Sequence, residues 1–316
     1  MAGMIQDILR ARRLLSAHLP PTPVMGYPVL DSATGARVVV KHENLQPTGA
    51  FKVRGGLTLL SGLEETQGIV GYSTGNHAQS LAYAARRFGV PCTIVMPERP
   101  NPVKARAVKA LGAELIEHGE TFDQAKPFAE RLAAERGMRL VSAAEPEIIA
   151  GVGTLYLEFL EQEPDLDAII VPVGSGTGAA AACLVTRAVN PGCRVIAVQS
   201  AQSPAAHDSW HAGSCVQRPN RTRADGLATG AGFELTQKVL REQLADFVLV
   251  DDDQIREAQW LLMRDARTVA EAAGAAPLAA LLTLRDELAG RTVGLVCSGG
   301  NSSEAELRDC VPGPAE

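Results

Sequence analysis

The chain has 316 residues, 46% of them hydrophobic, which is enough to bury a large core and to form two lobes or two domains. Its formal net charge is −6, its pI lies near 5.6 and it carries no run of like charges, so it lacks the electrostatic footprint of a nucleic-acid binder or of a protein that docks on an anionic membrane. Six cysteines without a CxxC pair, several inside apolar runs, suit a reducing cytosol and leave small-molecule chemistry as the default.

The N-terminal segment MAGMIQDILRARRLLSAHLPPTP spaces Ile5, Ile8, Leu9 and Leu15 as a helix does, with charges inside the pattern. Neither a signal peptide nor a transmembrane span is expected there, and a cytoplasmic location follows as an expectation. Beyond it, short β-rich runs alternate with longer helical patterns, the signature of an α/β protein with mostly parallel sheets. The pattern predicts strands at 37–42, 68–73, 92–97, 113–118, 139–143, 168–173, 194–200, 247–251 and 292–298, and helices over 76–88, 148–162 and 252–267. No repeat and no low-complexity linker marks a boundary. The strands from 68 to 143 and their helices make a compact unit, so a small domain is expected over 68–144 and a large one over 1–67 with 145–316.

Four turns carry the chemistry. In HENLQPTGAFKVRGGL, residues 42–57, Lys52 sits between Phe51 and the pair Gly55 and Gly56, in a chain with six lysines against twenty-four arginines. Its surroundings read as a buried, bent N-terminal loop. A buried lysine loses its charge easily and its neutral amine can attack an aldehyde, which an always-charged arginine cannot do. In GYSTGNHAQS a strand ends in Ser73, Thr74, Gly75, Asn76 and His77 and a helix begins, offering hydroxyls, an amide and free N–H groups to a carboxylate; an ordinary capping turn would look the same. In VPVGSGTGAAAA, Gly174, Ser175, Gly176, Thr177 and Gly178 join a strand to an alanine-rich helix, as a phosphate cup or as a tightly packed turn. The loop is neither a dinucleotide GxGxxG nor a GxxxxGK[ST] P-loop, which argues against NAD and against nucleotide hydrolysis. LVCSGGNSS ends the last strand with Ser298, Gly299, Gly300 and Asn301.

Taken together in this order and spacing, AFKVRGG, STGNHAQ, the glycine loop after VPVG, the ADG segment at Ala224, Asp225 and Gly226, and the final SGGN resemble the fold-type II pyridoxal phosphate enzymes, in the branch of threonine (serine) dehydratases and serine racemases. The resemblance covers nearly the whole chain. It implies an α/β fold of two open, twisted, mostly parallel sheets with helices on both faces, pyridoxal 5′-phosphate as cofactor, a small-molecule amino acid as substrate and a homodimer. It implies that Lys52 forms the Schiff base with the cofactor and then takes the substrate's α-proton, with Phe51 packed near the ring. Asn76 would bond the ring's phenolic oxygen, Ser73, Gly75 and His77 the substrate carboxylate, and residues 174–178 the phosphate. Gly226 would lie against the cofactor, and Ser298 would face the ring nitrogen. A hydroxyl there favours expelling a β-leaving group, so the expected reaction is loss of water from a β-hydroxy-α-amino acid, giving a 2-oxo acid and ammonia, with the cofactor phosphate as acid for the leaving hydroxide.

Two rivals stay open: a serine-type racemase, for which Thr74 would be the acid/base on the opposite ring face, and a silent ligand-binding relative. Ala50 before Phe51 and the PTGAFKVRGG segment resemble dehydratases of bulkier substrates such as phenylserine, or those of hydroxyectoine breakdown, so the substrate itself stays open. Family members that hold a divalent cation do so through a glutamate and an aspartate after the strand that follows the glycine loop. Here Gln199 and Ala205 stand near those places, with Asp208 out of register, so no metal is expected. The chain ends soon after SGGN, and no regulatory C-terminal domain is expected.

Overall fold

Runs such as VIAVQS and GLVC are apolar at successive positions, as strands covered on both faces must be. They form the interior of two sheets in the computed structural model, which describes residues 2–63, 68–73, 75–120 and 122–312. The strands are β1 (Val24–Gly26), β2 (Arg37–His42), β3 (Ile69–Tyr72), β4 (Cys92–Met96), β5 (Glu114–Glu117), β6 (Arg139–Val141), β7 (Ala168–Pro172), β8 (Arg194–Ser200), β9 (Asp246–Val250) and β10 (Thr292–Cys297). One sheet has the order β1-β2-β10-β7-β8-β9, parallel except for β1 at its edge. The other has the order β5-β4-β3-β6 and is parallel throughout. The nine predicted strands are all present, with bounds that agree to within two residues. β1 was not predicted, because three residues on an edge carry no alternation to read.

Register places the functional turns side by side. His42 at the end of β2 lies opposite Cys297 at the end of β10, and β10 neighbours β7, so the segments leaving these three strands emerge together. That is the carboxyl edge of a parallel sheet, where ligands of α/β proteins bind. The Phe51 N–H donates to the Ser298 carbonyl at 3.0 Å, and Ala50 bridges Gly299, which brings the lysine segment against the last turn.

One expectation is corrected. Lys52 lies in no loop; it is the first residue of the helix Lys52–Ser61, and Gly55 and Gly56 continue that helix. They serve close packing rather than bending. A Cβ on Gly55 would stand 2.7 Å from Ile148 Cγ2, and one on Gly56 would collide with Ser80 of the helix Asn76–Phe88. The N-terminal helix, Ala2–Leu15, buries Ile8 and Leu15 but leaves Leu9 54% exposed, so Leu9 is not on its core face. The central helix, Pro146–Gln162, is buried on nearly every side and packs against the helices Ala2–Leu15, Lys52–Ser61 and Thr177–Val189. Among the described residues no helix is long and apolar enough to cross a membrane.

Beneath Lys52 lies a cluster of buried charges. The Arg54 guanidinium donates to both oxygens of Glu43 at 2.8 Å, to Glu158 at 3.1 and 3.2 Å, and to the Thr154 hydroxyl at 3.2 Å. The Lys41 ammonium donates to the Thr22 carbonyl and to Gln162, both at 2.7 Å, and pairs with Glu158. Arg54, Glu43, Lys41 and Glu158 are all at most 3% exposed. Burial would raise the Glu158 carboxyl, but Arg54 and Lys41 outweigh it and hold the group at about 2. We expect Glu158→Gln, which strands Arg54 and Lys41 with one counter-charge fewer, to cost roughly 3–5 kcal/mol in urea unfolding at pH 7. Because the folded carboxyl is depressed, its contribution is complete above the ordinary glutamate range and is lost as pH falls toward about 2. The gap between wild type and variant should therefore close over that window, and a gap independent of pH would contradict the assignment.

Candidate active site

The Lys52 ammonium reaches into the glycine loop, donating to Thr177 Oγ1 at 2.7 Å and to Ser175 Oγ at 3.3 Å, 5.1 Å from the centroid of the Phe51 ring. No acid pairs with it among the described residues, and burial alone lowers its pKa to about 8. The loop that receives it is shaped by its glycines. Gly176 adopts φ +83°, a left-handed conformation that disfavours any side chain, and caps the helix Thr177–Val189 so that its first N–H groups face the cavity. A Cβ on Gly174 would run into the carbonyl of Gly226, so the ADG segment and the loop touch backbone to backbone. Thr236 Oγ1 donates to the Ser175 carbonyl at 2.8 Å and pins the loop from behind.

Phe51, Lys52, Asn76 and the whole of 174–178 line one cavity with Gly226 and Ser298. Every residue expected to hold the cofactor is thus brought to one place. Ser298 is 4% exposed, at the end of β10. An adjoining cavity takes in Ser73, Asn76 and His77 of the second turn. There Ser73 Oγ accepts the Gly75 N–H at 3.1 Å, so that N–H is engaged within the turn rather than free. His77 is 4% exposed and its Nε2 has no partner, while burial and then the nearby Lys52 charge push its pKa down to about 3, leaving the ring neutral. Thr74 lies outside the described residues.

Two buried side chains at the site escaped sequence reasoning. Lys104, on the helix Pro102–Ala110, is 2% exposed and pairs with Asp225 at 3.2 Å and with Glu271 at 3.1 Å. Glu271, 3% exposed, also accepts a hydrogen bond from Asn76 Nδ2, and its own N–H donates to the Gly299 carbonyl at 3.0 Å. Asn76 Oδ1 in turn accepts from Asn301 Nδ2 at 3.0 Å, which fixes the amide at both ends. The Lys104 stem crosses Gly75 so closely that a Cβ there would overlap its Cδ. A signal did exist: Glu271 is the lone charge in VAEAAGAAPLAALL, where a carboxylate has to find a buried partner.

At the place where relatives can carry a metal-binding glutamate, Gln199 Oε1 accepts the N–H groups of Ala206 and His207 at 3.1 and 3.0 Å. Its carbonyl thus caps the helix Ala205–Ala212, and Asp208 pairs with Arg218 and His207.

A family profile described as pyridoxal-phosphate dependent enzyme matches residues 15–299. An L-threonine ammonia-lyase of Thermotoga maritima is 36% identical over 94% of this chain and 75% of its own length. An L-threo-3-hydroxyaspartate ammonia-lyase of Saccharomyces cerevisiae is 34% identical over 93% of this chain and 92% of its own. The solved structure of maize serine racemase superposes with a TM-score of 0.90 at 31% identity, covering 96% of this chain and 95% of that one. With sequence and fold agreeing over almost its full length, the chain belongs to the pyridoxal-phosphate-dependent enzymes of fold type II.

Proposed function

We propose that this protein is an ammonia-lyase that removes water from a β-hydroxy-α-amino acid and releases a 2-oxo acid and ammonia. The observation that carries this reading is the Lys52 amine, aimed into a loop of glycine backbone and hydroxyls and lowered by burial to a pKa of about 8. The residues suit a phosphate-bearing aldehyde: the loop 174–178 itself carries hydroxyls and no carboxylate, a Cβ at 174 would run into the Gly226 carbonyl, and the Nε2 of His77 has no partner in the adjoining cavity. When bound, the cofactor supplies an aldehyde for amines and a ring that withdraws electrons from the substrate's α-carbon.

The chain's own groups do the rest. Residues 174–178 hold the phosphate with backbone N–H groups and the Ser175 and Thr177 hydroxyls at a helix N-terminus. Neutral Lys52, about half the population near pH 8, takes the α-proton. Asn76, with one amide hydrogen given to Glu271, keeps the other for the ring's phenolic oxygen. The Ser73 hydroxyl, whose oxygen already accepts from Gly75, turns its hydrogen to the substrate carboxylate, beside the unpartnered Nε2 of His77. Ser298, which lines the same cavity, would offer the ring nitrogen a hydroxyl; unlike a carboxylate it would not enforce a proton there, which would favour departure of the β-hydroxyl. Gln199 spends its oxygen on a helix terminus, so no divalent ion enters this proposal.

The same proposal divides the chain into a small domain, 68–144, and a large one, 1–67 with 145–316, supported by the two separate sheets. It includes a cytoplasmic homodimer and keeps threonine, serine and phenylserine as candidate substrates. The likeness to maize serine racemase favours racemisation as the second reading.

We expect Lys52→Ala to abolish both 2-oxo acid release and the bound cofactor's visible absorbance while preserving a cooperative melt, since one amine carries both tasks; retained turnover would refute the assignment. A chiral assay on the wild type separates the two readings, because a racemase inverts serine faster than it releases oxo acid. Gly174→Ala should weaken pyridoxal phosphate retention by about tenfold or more in a fluorescence titration of the apoprotein, because backbone, not a yielding side chain, blocks the new methyl. Light scattering should report about twice the 33.3 kDa chain mass.

A further inference from the structure

The helix Ala205–Ala212 reads AAHDSWHA, and its two histidines stand four residues apart, a spacing that sets both side chains on one face of a helix. Their rings meet there. His207 Nε2 lies 3.1 Å from His211 Nε2, with the ring centroids 4.4 Å apart. Two ring nitrogens this close share either a hydrogen or a cation. The His207 ring is oriented from its other side, because its Nδ1 lies 2.9 Å from Asp208 Oδ1 and a carboxylate only accepts. In the neutral ring that contact keeps the hydrogen on Nδ1 and leaves Nε2 with a lone pair turned toward His211.

The backbone beneath the pair is held firmly. Gln199 Oε1 accepts the N–H of His207 itself as well as that of Ala206, and Gln237 Nε2 donates to the Ala206 carbonyl at 2.8 Å. The His207 ring packs edge-on against Phe247 at 5.4 Å between centroids and keeps 19% of its side chain exposed, while His211 is exposed, so an ion reaches the pair from solvent. With metal–nitrogen bonds of about 2.05 Å, a separation of 3.1 Å subtends about 98° at the metal, between the square-planar and the tetrahedral angle. Among the described residues no third histidine, cysteine or carboxylate completes a protein cage, so water would fill the remaining positions. His207, Asp208 and His211 do not line the cavities at Lys52 and at the Ser73–His77 turn.

We propose that His207 and His211 form a two-imidazole site for a borderline divalent transition metal (Zn²⁺, Ni²⁺ or Cu²⁺), with Asp208 as the positioning residue that orients His207. Two Nε2–metal bonds form; His211, which donates to His207 through its Nε2–H, takes the tautomer with its hydrogen on Nδ1 when it ligates. A hard ion such as Mg²⁺ is disfavoured, because it needs anionic oxygens and the Gln199 carbonyl is engaged by the helix N–H groups. A metal held by residues four apart clamps the last turn of an eight-residue helix, so it stabilises the folded chain without entering the reaction. The site is independent of the ammonia-lyase reading.

The test titrates the holoenzyme, without substrate, with Zn²⁺, Ni²⁺ and Mg²⁺ in a calorimeter. Zn²⁺ and Ni²⁺ should fill a site that Mg²⁺ does not, and Zn²⁺ at a hundred times its Kd should raise the melting temperature by about 4 °C. His211→Ala, at an exposed position, should lose both the site and the shift, and His207→Ala should lose them equally, because one imidazole alone chelates nothing. Asp208→Asn should weaken binding by about tenfold while keeping the site, as expected of a group that acts through a ligand. In the variant Cys215→Ser, which removes the exposed thiol, electron paramagnetic resonance of bound Cu²⁺ should count two imidazole nitrogens. Zn²⁺ uptake that His211→Ala leaves unchanged, or that Cys215→Ser removes, overturns the proposal, and so does a copper spectrum without imidazole nitrogen.

Discussion

Everything at the active site depends on where the helix Lys52–Ser61 begins, and a buried ion cluster sets that point. Arg54, two residues after Lys52, is locked by Glu43 and Glu158, so the first turn of the helix is tied both to the segment leaving β2 and to the central helix. Charges buried this deeply tolerate little displacement, because a shift that lengthens one contact exposes an ion to an apolar interior. Glu158 serves Arg54, Lys41, Arg12 and the Thr22 N–H at once, so the N-terminal segment is fastened to the same carboxylate. Two cations face two anions at the centre of the cluster, which leaves little net field to disturb the Lys52 amine nearby. Desolvation can then set that amine's pKa on its own.

The scarcity of lysine acquires a physical sense. Lys41 and Lys104 are almost wholly buried, and the Lys52 amine is enclosed in the cavity. Each meets a different environment. Lys41 is a pinned structural cation whose pKa burial pulls down despite Glu158. Lys52 has no acid beside it and loses its proton readily. Lys104 has two and keeps its own. Arg54 serves where a buried charge must be permanent, whereas Lys52 and Lys104 present a compact ammonium whose proton the surroundings can remove or hold.

Much of the fold, and the set of residues that gathers around one cavity, could be read from the sequence because their signals are local. A parallel strand covered on both faces is a continuous apolar run, and each anion-binding turn is a short string of glycines and hydroxyls at the end of one. The turns at 73–77, 174–178 and 298–301 were legible on those terms. The Lys104, Asp225 and Glu271 group was not, because its members lie on three distant segments and become a unit only when the helix Pro102–Ala110 folds over the larger sheet. Lys104 sits in PVKARAVKA, which reads as a solvated helix face. Gly55 and Gly56 misled for a related reason: glycine looks the same in sequence whether it bends a chain or admits a neighbouring helix, and only the position of Ile148 and Ser80 shows the second use.

Glu271 links what the separate turns cannot link themselves. It accepts from Asn76 of the Ser73–His77 turn, from Lys104 above it, and through its backbone it joins the Ser298–Asn301 turn. Asn301 closes the circle by donating to Asn76 and to the Thr48 carbonyl, just before the lysine segment. The residues proposed to hold cofactor and substrate therefore share one hydrogen-bonded ring that crosses from the four-stranded sheet to the six-stranded one. In such a ring each bond orients its neighbours, so a change at Lys104 is felt at the Asn76 amide without touching it. Gly75 is the steric condition for the arrangement: a side chain there would lift Lys104 off Glu271, and the carboxylate that organises the turns would lose its cation.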